Sequence, residues 1–131
     1  MTASTALSRP WRWLAALALL GLACRSGDGP RATLDRYFGS AVRGEYAAVY
    51  SLYDEAYRAK VPQDDFVRHR REAAPLASYE VLSLSAGETS ARARVRLTFG
   101  SSGKLQRPAP VTSVVDEELV KERGGWRIKV W

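Results

Sequence analysis

Few side chains in this sequence could hold a proton, an anion or a lipid. The one histidine, His69, stands within Arg68-His69-Arg70-Arg71. A general base needs a carboxylate to orient it, and positive neighbours disfavour the imidazolium. A lone His with no nearby Cys does not make a metal set. Asp64 and Asp65 resemble a catalytic acid pair only on paper. Adjacent residues of a helix do not face each other, so they read as charges at a helix start. The tyrosines are more numerous: Tyr46, Tyr50, Tyr53 and Tyr57 recur with Val49 at helical spacing, and Tyr37 precedes them. Such a stripe packs a core with its hydroxyls reaching water or a backbone carbonyl, or else lines a pocket. If the pocket were catalytic, Tyr37, Tyr50, Tyr53, His69 and an inward Asp would be its raw material.

Two further groups carry charge in a pattern. Arg92, Arg94 and Arg96 alternate with apolar residues, and Asp116-Glu117-Glu118 lies in a later alternating run. Neighbouring strands would make a solvent-facing ladder of ion pairs, each contributing about 0.2–1 kcal/mol. The alternative is an anion site on the arginine face. The sequence offers no phosphate loop, no clear nucleophile and no metal cluster, so neither catalytic residue, cofactor nor metal is assigned.

The single cysteine, Cys24, cannot form an internal disulfide and follows directly on the only long apolar run. Arg9 and Arg12 precede Trp13-Leu14-Ala15-Ala16-Leu17-Ala18-Leu19-Leu20-Gly21-Leu22-Ala23. A positive region, an apolar core and a small residue before the cut are in signal-peptide order. The run of 11 residues is short of the about 20 that span a bilayer. These residues resemble the bacterial lipoprotein signal, whose lipobox ends in a small residue and a lipidated Cys. Ala23-Cys24 matches, while Gly21 and Leu22 stand in exchanged order. The resemblance implies a signal peptide over residues 1–23, a lipid on Cys24, and attachment to the cell envelope. Arg25, where an Asp would favour inner-membrane retention, points to the outer membrane facing the periplasm. Residues 24–31, polar and Gly-rich, read as a tether.

What remains has the size of one domain. With 46% hydrophobic residues and four Trp the chain can bury a core. The formal charge of +6 falls to +4 once Arg9 and Arg12 leave with the signal. That excess is mild, and no helix-turn-helix, Cys/His finger or aromatic-basic platform accompanies it, so nucleic acid is not an expected partner.

The elements that must position these residues follow from periodicity. Leu34, Tyr37, Phe38, Ala41 and Val42 predict a helix over 32–44 ended by Gly44. The tyrosine stripe predicts a second helix over 46–57. Pro62, Asp64 and Asp65 start a third, in which Phe66, His69 or Arg70, and Ala73 share a face, with Pro75 beyond it. Alternation then replaces helical spacing. Residues 79–84 read as a strand, and Ala91, Ala93, Val95, Leu97 and Phe99 alternate with polar residues as the clearest strand of all. Residues 100–103 read as a turn, and Pro108 and Pro110 exclude a central strand there. A strand over 112–122, then Gly124-Gly125, then Trp126-Arg127-Ile128 makes a hairpin of open register.

Helices followed by antiparallel strands ending in Gly-Gly-Trp-Arg-Ile resemble the nuclear-transport-factor-2-like (cystatin-like) superfamily and its small bacterial lipoproteins. The residues that carry the likeness are Tyr37-Phe38, Gly44-Glu45-Tyr46-Ala47-Ala48-Val49-Tyr50, Phe66 and Val120-Lys121-Glu122-Arg123-Gly124-Gly125-Trp126-Arg127-Ile128, within a domain over 32–131. The resemblance implies an α+β fold in which N-terminal helices pack on a strongly bent antiparallel sheet, making a cone with an apolar pocket. Some members are enzymes that use a pocket carboxylate or His beside a Tyr hydroxyl; others bind partners, and relatives often dimerise through the sheet. Fold alone does not choose among these. The expected function is a membrane-anchored envelope lipoprotein that binds a small apolar ligand or another envelope protein without catalysis. The alternative is a small isomerase, dehydratase or hydrolase.

Overall fold

In the computed structural model, residues 29–100 and 110–131 are described. The signal, Cys24 and the turn expected at 100–103 lie outside them, save Gly100. Leu34, Tyr37, Phe38 and Ala41 form the buried stripe of α1 (Pro30–Val42). The helix begins two residues earlier than its apolar stripe suggests, because Pro30 suits a first helical turn, so residues 30 and 31, expected in a tether, are helical. Gly44, at φ 74°, takes the left-handed geometry that ends α1, and Glu45 N–H donates to Ser40 O at 2.9 Å.

The tyrosine stripe is not one helix. It divides into α2 (Tyr46–Ser51) and α3 (Glu55–Lys60). Between them the chain pairs with a distant strand: Ile128 N–H donates to Leu52 O and Asp54 N–H donates to Ile128 O, both at 2.8 Å. That bridge places Tyr53 against the sheet and breaks the helical ladder. The last helix, α4 (Gln63–Glu72), has Pro62 as its N-cap and stops three residues before Pro75.

β1 (Leu76–Ala86), β2 (Ser90–Phe99), β3 (Val111–Glu122) and β4 (Gly125–Lys129) form an antiparallel meander in the order β1-β2-β3-β4. Register shifts between Leu76 and Ser78 and between Val81 and Ser83 mark bulges in β1, which bend and twist a sheet. One face turns Ala91, Ala93, Val95, Leu97, Leu119, Trp126 and Ile128 into the core with the α1 stripe, Val49 and Phe66. The fold is thus α+β, with helices packed on a bent antiparallel sheet.

The hairpin register is now fixed. Arg123 and Gly124 join Glu122 to Gly125, and Val120 faces Arg127 while Glu118 faces Lys129. Gly125 reaches φ 121°, a value open to glycine. On the outer face, Arg92 pairs with Glu118 at 3.5 Å and Arg94 with Asp116 at 3.2 Å, which makes the expected ladder. Arg96 turns instead to Glu80 of β1 at 2.7 Å. The acidic run does not act as a unit, since a strand sends alternate side chains to opposite faces and Glu117 therefore points inward beside Ala93.

Candidate functional site

Four elements bring polar atoms together inside the cone. Tyr37 comes from the buried face of α1 and Tyr53 from the bridge to β4; their hydroxyls lie 2.7 Å apart. α4 contributes Arg70, one turn after the buried Phe66, with its guanidinium 5.5 Å from the centre of that ring. Arg70 Nη2 donates to the Tyr37 hydroxyl at 3.4 Å and the Tyr53 hydroxyl at 3.3 Å. Its Nε and Nη1 have no hydrogen-bond partner among the described residues, and it forms no ion pair there. β3 contributes Glu117, half-buried on the same inner face.

The electrostatics follow from burial. Loss of water raises the Tyr37 phenol well above its ordinary value, and Tyr53 and Glu117 push it further, against the pull of Arg70. Burial likewise raises the Glu117 carboxyl, with the Arg70 charge drawing it down. For Arg70 burial lowers the pKa, but Tyr37 and Tyr53 outweigh it and the guanidinium stays charged. The cluster therefore presents a fixed cation flanked by two hydroxyls and faced by a carboxyl whose ionisation is resisted.

Beside this cluster a cavity of about 380 Å³ opens between the bridge, α3 and α4, lined by Tyr53, Tyr57, Val61, Phe66, His69, Arg70 and Ala73. Its rim continues to Trp131, whose ring centre is 5.4 Å from that of Tyr57. A larger depression of about 520 Å³ lies elsewhere, lined by Ser83, Ser85, Arg92, Arg94, Asp116 and Glu118 with Leu84, Ala93 and Glu117 between them. It runs across β1, β2 and β3, with no helix residue in its lining. Its arginines are already paired with its acids.

Of the residues singled out from sequence, Tyr37 and Tyr53 meet in the cone, and His69 reaches the lip of the cavity. The His69 imidazole is exposed and has no hydrogen bond or ion pair among the described residues, so no acid orients it as a base. Tyr50 lies apart from them. Its hydroxyl donates to Val61 O at 2.6 Å and Arg58 O at 3.0 Å, so it ties α2 to the chain around α3 and is not in the lining of the cavity beside Arg70. Asp64 and Asp65 stand in the first turn of α4, where Asp65 pairs with Arg68 at 2.8 Å. The inward carboxyl at the cone is Glu117 and not an Asp. Asp54 is buried too, with Oδ1 unpartnered among the described residues, but it stands just before α3, outside the cavity lining. No group of three or more potential metal ligands occurs among the described residues.

The fold these elements make recurs among solved structures. A SEC-C motif containing protein from Rhodopseudomonas palustris superposes with a TM-score of 0.67 at 16% identity, over 81% of this chain and 79% of its own. A second SEC-C motif containing protein, from Psychrobacter arcticus, gives 0.63 at 12% identity over 79% of this chain, which spans 60% of that protein's length. A Campylobacter jejuni protein described as an NTF2-like transpeptidase gives 0.52 at 14% identity, over 78% of this chain and 98% of its own. The chain thus has the cone-shaped fold of the nuclear-transport-factor-2-like (cystatin-like) class. No family model matches the sequence, and no curated protein matches it. At these identities the likeness shows the fold alone.

Proposed function

We propose that this chain is a lipid-anchored envelope protein whose cone mouth binds a small amphipathic carboxylate without chemical conversion. One observation carries the reading. Arg70 stands at the wall of an aromatic-sided cavity with two nitrogens uncommitted, beside a pair of bonded hydroxyls of which one keeps a proton to donate. A guanidinium fork matches a carboxylate in two parallel hydrogen bonds, and apolar walls hold the rest of a small ligand. The anchor is argued from residues 13–24, where an apolar run ends at Ala23-Cys24. Several acyl chains at about 0.8 kcal/mol per buried methylene would hold the domain at a membrane.

Octanoate and its neutral amide make a direct test, with Trp131 at the rim as the fluorescent reporter. A hydrogen bond to a charged group contributes about 1.5–3 kcal/mol, so octanoate should bind at least about tenfold more tightly than the amide. Arg70→Gln should erase that preference while leaving the fold intact. Equal affinity for acid and amide in the wild type would end the proposal. For the anchor, Cys24→Ser should abolish labelling with a metabolic fatty acid, and equal labelling of both proteins would remove the lipoprotein reading.

The enzyme alternative draws on Glu117, a carboxyl of raised pKa on the inner face. Catalysis of the cone type asks for a carboxyl in hydrogen-bond reach of a Tyr hydroxyl. The Glu117 carboxyl forms no hydrogen bond among the described residues, so the binding reading stands first.

A further inference from the structure

At the opposite end of β4 from the cone mouth, the β3–β4 turn folds onto the beginning of α1. β4 packs on that helix, and Trp126 and Thr33 are both buried where they meet. The seam holds a cavity of about 380 Å³, lined by Thr33, Arg36, Lys121, Arg123, Trp126 and Arg127 with the turn glycines. Among the described residues four of its side chains are cationic and none is acidic.

Six exposed arginines elsewhere, Arg31, Arg43, Arg68, Arg92, Arg94 and Arg96, each meet a carboxylate. The side chains of Lys121 and Arg123 have no hydrogen bond or ion pair among the described residues. Arg127 is folded back over the turn, with Nη1 donating to Trp126 O at 2.9 Å and Nη2 to Gly124 O at 3.5 Å. A Cβ at position 124 would come within 2.8 Å of Nη2, so glycine there leaves room for the guanidinium. Convergent cations over a cavity suit a ligand with several charged oxygens, and arginine pairs with phosphate through its fork.

The place of the seam in the chain selects the source of that phosphate. α1 starts at Pro30, six residues after Cys24, and an extended stretch of that length spans at most about 20 Å. We propose that the seam binds the phosphate of an anionic phospholipid in the leaflet that carries the Cys24 lipid. The β3–β4 turn then lies against the membrane, and the cone mouth, at the far end of β4 beside Tyr57 and Trp131, faces away from it. The proposal rests on the lipid anchor. Each basic residue near an anionic surface strengthens association about fivefold.

The mature protein purified from membranes, reconstituted into vesicles of phosphatidylcholine with or without phosphatidylglycerol, tests this by hydrogen exchange. Phosphatidylglycerol should protect the amides of Arg123 and Gly124 and leave those beside Tyr57 unchanged, and added salt should reverse the effect. Lys121→Gln/Arg123→Gln, at two exposed sites, should lower the ratio of docked to undocked protein about 25-fold. Equal protection on phosphatidylcholine, or protection that survives in the double variant, would overturn the headgroup site. Saturation of the same amides by inorganic phosphate without vesicles, with no further effect of phosphatidylglycerol, would reassign the site to free phosphate and overturn the membrane source. Fatty-acid labelling of the same sample separates the two claims. A labelled protein without protection loses the headgroup site and keeps the anchor, whereas an unlabelled one loses the anchor.

Discussion

Replacing Tyr37 and Tyr53 by Phe, singly and together, tests whether the cone holds a coupled polar pair. The two hydroxyls are 2.7 Å apart, both residues are at most 6% exposed, and Arg70 Nη2 donates to each, at 3.3–3.4 Å. Tyr37→Phe removes a hydrogen bond with a net contribution of about 1 kcal/mol and leaves the Tyr53 hydroxyl with a long bond to Arg70, so a cost of about 1–1.5 kcal/mol is expected. Tyr53→Phe should cost about the same by the same reasoning. The double variant leaves two rings in the same edge-on arrangement, 5.5 Å apart, with no orphaned hydroxyl between them. Its cost should be about 1.5–2 kcal/mol, less than the sum of the singles by about 1 kcal/mol. In urea unfolding this appears as a non-additive cycle, and in heat as a loss of about 4–8 °C for each single change. Additivity within about 0.5 kcal/mol would mean the hydroxyls do not depend on each other, and the site as drawn would be wrong.

Trp126→Ala removes a ring only 7% exposed at the β3–β4 hairpin and should cost about 3–5 kcal/mol in unfolding experiments; an unchanged melting temperature would contradict the hairpin packing. Glu117→Gln should stabilise the protein at neutral pH and leave it unchanged in acid. Burial raises this carboxyl in the folded state, so its contribution is full below the ordinary glutamate range and is lost as pH rises through the raised value. A melting curve against pH reads the difference, and equal profiles for variant and wild type would refute it. His69→Ala, at an exposed and unpartnered position, should change stability by less than about 0.5 kcal/mol and leave octanoate binding and complementation intact. Loss of complementation with the fold preserved would favour the enzyme alternative.

The strand of alternating alanines and arginines was plain in the sequence because one buried face forces period two, and Trp126 after Gly124-Gly125 marked the hairpin as clearly. The tyrosine stripe misled for a definite reason. Helical spacing is local, whereas the pairing of Leu52 and Asp54 with Ile128 joins residues more than 70 apart. Glu117 was legible in principle, since it falls in phase with Val115 and Leu119 on the inner face, but its acidic neighbours drew it into the outer ladder. Arg70 was likewise hidden behind His69. Both lie on the Phe66 side of α4, and only the packed helix shows that the residue one full turn on reaches the tyrosines.

Native mass spectrometry of the protein purified from envelopes that produce it, beside Arg70→Gln prepared identically, tests the binding claim most directly. The wild type should retain a small anionic amphiphile, and the variant, with the same melting temperature to within a few degrees, should lose it. A wild type that carries nothing, or a variant that carries the same ligand, would contradict the assignment of the cone mouth as a carboxylate-binding site.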